Sequence, residues 1–393
     1  MSTLDRSLRF ARTSSAFVKN AVRRRTHKQN YLQLDKTPHE VILRDGLMSV
    51  KHYKPLPTGY VNIEGKSFQV RQRRFAIPLV LVPPLGVFAW IFDLMADRSM
   101  VRYFLAHGFE VYLIDWGNPG EDDRDISLDT YIADWFPKAL AKIRAHSGSE
   151  ELSLLGYCMG GLLSLLYLAA SGDKSVTNLV TIASPVDMHK MGWAGKVTSL
   201  MRKPVWAIGR VTGLRIDEME RQFFHVPGKR LSLMFKMTNP VGTVSSYLEL
   251  VRNMADDEYV SRYMTMNEWF TNMPDYPGAT VQEVIRKMGL YNRLAKGRIR
   301  IGGRVADFRS ITSNLLAFAG DNDKIVSVDA ARAINDVVSS DDKQFHVVPG
   351  GHAGVFTGSR AAHSTWAISK EWLSQRSKPL TEKPAGREND RLK

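Results

Sequence analysis

The chain has 393 residues, of which 44% are hydrophobic and 24% charged, so it can bury a sizeable core and is not disordered throughout. A single cysteine excludes an intrachain disulfide and a cysteine-cluster metal site. The net charge of +14 is not accompanied by a helix-turn-helix, RNA-recognition or zinc-finger pattern, so we expect no nucleic-acid partner.

The first part of the chain is strongly basic. Residues 1–30 carry eight Lys or Arg against one Asp, a local charge of +7. No apolar segment of signal-peptide length follows, and the longest apolar stretch, residues 77–92, is too short and too interrupted by proline to span a membrane. We therefore expect a cytoplasmic protein without a transmembrane span. Residues 1–35 form a basic arm, either solvated and mobile or an amphipathic helix that docks on a partner.

Hydrophobic periodicity then predicts the elements in chain order. Residues 40–75 alternate polar and apolar positions and indicate meandering strands. Beyond them, short apolar runs predict strands at PLVLVPP (78–84), FEVYLIDWG (109–117), ELSLLGY (151–157) and VTNLVTIASPVD (176–187). Helical spacing predicts helices between these strands, at 99–108, 127–148 and 162–172.

This alternation stops near residue 187 and returns near residue 312. The returning elements are a strand within 312–326, a helix at 328–338, a strand within 343–352 and a helix at 364–375. Alternating strands and helices predict an α/β fold, with a mostly parallel central sheet and helices on both faces. We expect residues 36–187 and 298–377 to form this core, residues 188–297 to form an inserted helical lid, and residues 378–393 to form a disordered tail.

The only cysteine lies in LSLLGYCMGGLLSLL, residues 152–166, between a predicted strand and a predicted helix. A strand, Gly-x-nucleophile-x-Gly and a helix are the nucleophile elbow of α/β-hydrolase folds, whose glycines let strand and helix approach closely. The N-terminus of the helix favours a thiolate at Cys158. The alternative is that Cys158 is a small buried hydrophobic residue.

A nucleophile elbow requires an acid and then a histidine later in the chain. Asp321 and Asp323 both follow the strand of the 312–326 segment, and His352 follows the last strand in a glycine-rich loop. Asp187 is a rival acid. The rival histidine is His346, whose mid-strand position among apolar residues favours a packing role.

Backbone N–H groups are expected to form the oxyanion hole. In this fold the residue after the nucleophile, Met159, supplies one donor, and the loop after PLVLVPP supplies the other. Because Pro83 and Pro84 have no N–H group, the second donor is Leu85 or Gly86.

Taken together, these residues resemble the polyhydroxyalkanoate synthase family over roughly residues 37–372, and most closely its short, two-subunit (class III type) members. The resemblance is carried by TPHEVILRDGLMSVKHY, GYCMGG, YNRLAKGRIRIGGRVADFRSI and GHAGV. It implies that Cys158, Asp323 and His352 are the catalytic triad. Lys324 stands where the family commonly has histidine, and Ser327 where it commonly has proline.

The resemblance implies an acyltransferase that polymerises (R)-3-hydroxyacyl-CoA and releases CoA through an acyl-cysteine intermediate. Coenzyme A is then part of the substrate, and we expect no metal or other cofactor. The expected partners are the growing polyester chain or granule surface, and a second synthase subunit or a second copy of this chain. The alternatives are a thioesterase or depolymerase-like hydrolase of the same fold and a non-catalytic binding protein. A cysteine nucleophile disfavours the hydrolase, and an intact triad disfavours the binding protein.

Aromatic residues of the predicted lid are candidates to cover an acyl-binding tunnel, although packing within the lid is the commoner role of such residues. They are Trp193, Trp206, Phe223, Phe224 and Trp269.

Overall fold

A computed structural model describes residues 3–73, 75–213, 215–237 and 240–380, without side-chain detail at 3–13, 193–194, 208–209 and 240–244. Its centre is an eight-stranded sheet of order β1-β2-β4-β3-β5-β6-β7-β8. The strands are β1 His39–Asp45, β2 Met48–Tyr53, β3 Leu79–Val82, β4 Val111–Asp115, β5 Leu152–Tyr157, β6 Val176–Ile182, β7 Asn314–Gly320 and β8 Lys343–Val348. β2 is antiparallel to both β1 and β4, and the other neighbouring strands are parallel.

Helices precede, connect and follow these strands. They are α1 Thr3–Thr26, α2 Met100–Ala106, α3 Phe136–Ser147, α4 Met159–Ser171, α5 Gly192–Thr212, α6 Gly228–Met237, α7 Pro240–Arg252, α8 Asp257–Thr271, α9 Gly278–Glu283, α10 Val328–Arg332, α11 Ile334–Val337, α12 His352–Thr357 and α13 Thr365–Gln375. Three short hairpins pair Tyr60–Ile63 with Lys66–Gln69, Asp93–Met95 with Arg98–Ser99, and Arg298–Ile301 with Arg304–Asp307.

The apolar runs form strands because both of their faces are buried. In β3, Val80 and Val82 pack into the hydrophobic core on one face of the sheet, whereas Leu79 and Leu81 pack into the core on the other face. A strand enclosed by helices on both sides has no polar face, which is why its sequence is apolar at every position. The predicted α/β class, with a mostly parallel sheet between helices, is confirmed.

Two predicted helices differ in detail from the structure. The helix expected over 127–148 begins as a wide π-helical turn, Thr130–Trp135, and continues as α3. Pro137 lies in the first turn of α3, where its missing N–H group costs no hydrogen bond. The helix expected over 328–338 is divided into α10 and α11.

Residues 188–297, between β6 and β7, form α5 to α9 joined by short helical turns. Trp269 of α8 is 1% exposed and packs into the core on one face of the sheet, while Met288 and Leu294 pack into the core on the other. This helical insertion is therefore anchored to both cores. Within the described residues, no helix is long and apolar enough to cross a membrane.

Both ends of the described chain are tied to the body of the protein. Asn20 of α1 is fully buried, donates to the Met254 carbonyl (3.0 Å) and accepts from the Tyr31 hydroxyl (2.9 Å). The second half of the basic arm thus packs against the helical insertion. At the other end, the expected disordered tail of 378–393 begins with residues that are bound to the core: the Lys378 carbonyl accepts a hydrogen bond from the Ala76 N–H (3.0 Å), and Pro379 forms a bridge with Phe75. Residues 381–393 of that tail lie outside the described residues.

Replacing Gly160 by alanine tests the close contact between α4 and β3. A Cβ atom at this position would lie 2.1 Å from the Val82 carbonyl oxygen. We expect Gly160→Ala to lower the free energy of unfolding by about 1–3 kcal/mol, because a backbone atom cannot turn away from the added methyl group. Urea denaturation measures the effect.

Gly289→Ala is the matched control, because its Cβ would meet the nearest atom, Cγ2 of Thr198, at an ordinary 3.5 Å. Equal stability of the two variants would contradict the packing argument.

Candidate active site

Cys158 lies in a strained turn between β5 and α4. Its backbone has φ 51° and ψ −116°, a conformation that a residue with a side chain rarely adopts. Its N–H group donates to the Ile182 carbonyl (2.7 Å), which continues the hydrogen bonding between β5 and β6 beyond the end of the strand. The turn therefore holds the thiol above the carboxyl ends of the parallel strands.

Glycines allow this turn to pack closely. A Cβ atom on Gly156 would lie 2.5 Å from the Gly161 nitrogen, so any side chain there would collide with the first turn of α4. Together with the contact of Gly160 with Val82, this shows why the motif needs glycine on both sides of the nucleophile. The predicted nucleophile elbow is present.

The acid and the histidine are brought together by the ends of β7 and β8. His352 Nδ1 lies 2.8 Å from Asp323 Oδ2. The other carboxylate oxygen of Asp323 accepts the N–H groups of Ile325 (2.8 Å) and Val326 (2.9 Å). Oδ1 thus fixes the Asp323 carboxylate to the backbone of the turn that follows it, and Oδ2 orients the imidazole of His352. His352 is the first residue of α12, not a loop residue as expected, because a helix begins directly after Gly351.

The rival residues have other contacts. Asp321 Oδ1 accepts the Gly350 N–H (2.9 Å) and so braces the turn before His352. Asp187 accepts from the Asn292 amide (2.7 Å), and His346 stacks on Phe318 with ring centroids 5.8 Å apart. The contact with His352 therefore belongs to Asp323.

The His352 side chain is 8% exposed, and that of Asp323 is fully buried. Burial by itself lowers the pKa of His352, because it disfavours the imidazolium. The charge of the Cys158 thiolate and the hydrogen bonds to Asp323 and Cys158 outweigh burial and raise the pKa to about 10. Cys158 and Asp323 therefore both stabilise the imidazolium form of His352.

Two tyrosines that the sequence did not single out complete the site. The Tyr157 hydroxyl donates to the His352 carbonyl (3.2 Å), and its ring stacks on Phe356 of α12, which fixes the start of that helix. Tyr276, from the helical insertion, lies near the thiol: burial and then the charge on Cys158 raise its pKa. Tyr157 precedes the nucleophile directly, but no local pattern marks Tyr276.

The expected oxyanion donors come from two segments that pack together. Met159 is the first residue of α4, whose first turn touches the end of β3 at Val82. The loop that follows is held by Trp116, whose indole N–H donates to the Pro83 carbonyl (2.9 Å). In this loop Leu85 is buried, and Gly86 faces the ring of Tyr276. Donation by Met159 and by Leu85 or Gly86 remains a prediction.

A cavity of about 880 Å³ is lined by residues of both the helical insertion and the core, and it reaches His352. Its lining includes Met266, Phe235, Phe270, Tyr259 and Tyr263 from the insertion, and Arg98, Lys324, Ile325 and Ala353 from the core. The insertion thus supplies aromatic and methionine side chains together with Lys236 and Arg262, and the core supplies Arg98 and Lys324 beside Asp97.

Of the aromatic residues expected around an acyl tunnel, those with described side chains do not line the cavity. Trp206 (55% exposed) and Phe223 (71% exposed) face solvent, and Phe224 is half-buried. Trp269 is buried in the core and stacks on Phe270, which does line the cavity. The side chain of Trp193 lies outside the described residues.

Comparison with known proteins agrees with this geometry. Residues 91–359 match the alpha/beta hydrolase fold family. The chain is 32% identical over 301 residues to the poly(3-hydroxyalkanoate) polymerase subunit PhaC of Allochromatium vinosum, an alignment that covers 76% of this chain and 81% of that protein. This chain belongs to the polyhydroxyalkanoate synthase family.

Other members match over similar lengths. Identity to the PhaC subunit of Haloferax mediterranei is 28% over 360 residues, covering 91% of this chain and 68% of that one. Identity to the PhaC subunit of a Synechocystis species is 28% over 347 residues, covering 88% and 86%. The resemblance noted from the sequence motifs is thus confirmed at the level of the family.

The two departures from the family pattern have distinct places in this synthase family member. Ser327, where the family commonly has proline, caps α10 by accepting the Ala330 N–H (3.1 Å) and donates to the Lys190 carbonyl (2.7 Å). Lys324, where the family commonly has histidine, is exposed at the cavity. Neither departure alters the contact between Asp323 and His352.

Exchanging each aspartate for asparagine tests which one orients His352. Asp323→Asn should lower kcat by roughly 10³–10⁴-fold, because an amide N–H facing Nδ1 selects the wrong histidine tautomer and removes the charge that stabilises the imidazolium. Asp321→Asn is the control: its amide oxygen can still accept the Gly350 N–H, so kcat should change little. CoA release from an acyl-CoA measures both, and a larger loss in Asp321→Asn would refute the assignment.

Proposed function

We propose that this chain is an acyltransferase that polymerises (R)-3-hydroxyacyl-CoA into polyhydroxyalkanoate and releases CoA. The observation that carries the proposal is Cys158 in the nucleophile elbow beside the bonded pair of His352 and Asp323. The names of the relatives support the substrate class.

In the first half-reaction the thiol proton of Cys158 passes to His352, and the thiolate attacks the thioester carbonyl of the substrate. The bond between the carbonyl carbon and the CoA sulfur then breaks, and the departing CoA thiolate takes the proton from His352. A thioester replaces a thioester, so the acyl group stays activated on the enzyme at little cost in free energy. The backbone N–H groups of Met159 and of Leu85 or Gly86 stabilise the oxyanion.

Acylation changes the electrostatics of the histidine. The acylated sulfur has no charge, so the charge and hydrogen bond with which Cys158 raises the pKa of His352 are lost, while burial still lowers it. The His352 imidazolium therefore becomes more acidic at the stage when the departing CoA thiolate must be protonated. After it has given up this proton, His352 is neutral and can act as the base of the next step. The pKa shift thus couples the two half-reactions.

In the second half-reaction the hydroxyl of another monomer or of the growing chain attacks the acyl-cysteine. Neutral His352 takes the hydroxyl proton, a C–O bond forms, the C–S bond to Cys158 breaks, and the proton passes to the released thiolate. Water in place of the hydroxyl would give a free acid. The aromatic wall formed by Phe235 and Phe270 on the side of the helical insertion supports the exclusion of water from the cavity.

We also propose that the enzyme works in the cytoplasm at the surface of a polyester granule. Large apolar side chains of the insertion are exposed, as expected of a surface that meets a polyester. They are Leu200, Trp206, Leu233, Met234 and Met237. A second synthase subunit or a second copy of this chain is the further partner that the family suggests.

Replacing the nucleophile tests the activity. With 3-hydroxybutyryl-CoA, Cys158→Ala should lower CoA release by at least about a thousandfold, because no other group can carry the acyl chain. Cys158→Ser should retain slow CoA release and yield mainly free acid, since an oxyester is a poorer acyl donor than a thioester. Following CoA and the acyl product together distinguishes the reactions: polymer from the unaltered enzyme supports the proposal, and free acid alone would identify a hydrolase.

Alkylating Cys158 tests the electrostatic coupling. The thioether formed with iodoacetamide has no charge, so the pKa of His352 should fall clearly below about 10. Loss of the thiolate destabilises the imidazolium, and the neutral form then prevails at lower pH. NMR titration of the imidazole before and after alkylation measures the change. His363, which is exposed and lies outside the triad, is the internal control, and an unchanged His352 titration would contradict the coupling.

A further inference from the structure

A cluster of histidine and carboxylate side chains lies at the opposite end of the sheet from Cys158. In the sheet register, Glu40 of β1 pairs with His52 of β2, and His52 pairs with Tyr112 of β4. Directly paired residues point to the same face, so these three side chains form a row across three strands. His146, in the last turn of α3, covers this row.

The donor atoms of this cluster are spaced as metal ligands. Glu40 Oε1 lies 3.1 Å from His52 Nδ1 and 3.7 Å from His146 Nε2, and one donor atom from each of the three residues lies within 4.8 Å of the others. Two ligands about 2.0–2.1 Å from a tetrahedral Zn²⁺ ion are about 3.4 Å apart. Small side-chain adjustments would bring all three atoms to that separation.

The outer ring nitrogens of both histidines are already held. His52 Nε2 lies 3.4 Å from Glu110 Oε1, and His146 Nδ1 lies 2.8 Å from the Tyr112 hydroxyl. Such contacts fix the ring and the tautomer of metal-binding histidines. Glu110 also pairs with Arg73 (2.7 Å), so it suits this supporting role better than that of a ligand.

The hydrogen bonds of Tyr112 orient the ring of His146. Tyr112 donates its only hydroxyl proton to Glu110 (2.9 Å), so His146 Nδ1 must donate to the Tyr112 oxygen. Nε2 of His146 is then the ring atom that faces the Glu40 carboxylate, at 3.7 Å. A cation placed between these two atoms would be bound by both.

We propose that Glu40, His52 and His146 form a zinc site. Two imidazoles and one carboxylate suit Zn²⁺, and the partly exposed Glu40 leaves the fourth position to water. The ion joins the edge strand β1 to β2 and to the end of α3. Cys158 follows the C-terminal end of β5, at the opposite end of the sheet from this cluster. The zinc site therefore stabilises the sheet and takes no part in acyl transfer.

Zinc binding to the untagged full chain tests this proposal. The measurement uses a Cys158→Ala background, so that the thiol cannot bind the metal. Calorimetric titration with Zn²⁺ should show one site per chain, and Zn²⁺ should raise the melting temperature. Co²⁺ should give the visible absorption of a tetrahedral site.

His146→Gln should weaken Zn²⁺ binding at least tenfold and abolish the rise in melting temperature. His363→Gln, at an exposed histidine outside the cluster, is the control and should bind as the parent does. Glu40→Gln, on a half-exposed side chain of the edge strand, replaces His146→Gln if that variant does not fold. Absence of saturable binding in the parent, or equal binding in all variants, would overturn the proposal.

Discussion

The close crossing of β5, α4 and β3 is the contact on which the site depends. The side chain is absent at Gly156 and Gly160 because backbone atoms of α4 and β3 occupy the space that Cβ atoms would fill. This contact forces Cys158 into its strained conformation and aims its thiol away from the sheet. It also places the first turn of α4 against the end of β3, where the oxyanion donors are expected.

The position of Cys158 also determines the charges that act on His352. Asp323 is held by two backbone N–H groups and is therefore a fixed negative charge beside His352. In the proposed mechanism Cys158 is the variable charge, since it is negative as a thiolate and neutral when acylated. One buried imidazole would then serve both half-reactions, because acylation of Cys158 changes the proton affinity of His352.

The two ends of the sheet carry different groups of polar residues. At the carboxyl ends of the parallel strands, turns carry reactive groups, and the helical insertion covers them with an aromatic wall. At the opposite end, the cross-strand row of Glu40, His52 and Tyr112 lies under the end of α3. Zinc bound there would stabilise the antiparallel edge formed by β1 and β2. In the strand order this edge is the farthest from β6 and β7, which the insertion connects.

The sequence by itself determined the α/β class, the nucleophile elbow and the order of nucleophile, acid and histidine. These features depend on local patterns: apolar runs buried on both faces, glycines at a turn, and polar residues just after strands. It left Asp321, Asp323 and the rival Asp187 as candidate acids, and the motif resemblance favoured Asp323. Only the tertiary structure showed that Asp323 contacts His352 while Asp321 braces the preceding turn.

Tertiary structure alone also decided which insertion residues meet the site. Tyr276 approaches Cys158, and Phe235 and Phe270 line the cavity, because distant helices pack together; no local spacing distinguishes them from the aromatic residues that face solvent or fill the core. The histidine cluster likewise depends on strand register and helix packing. Its residues are separated by up to about a hundred positions, so no metal-binding motif appears in the chain.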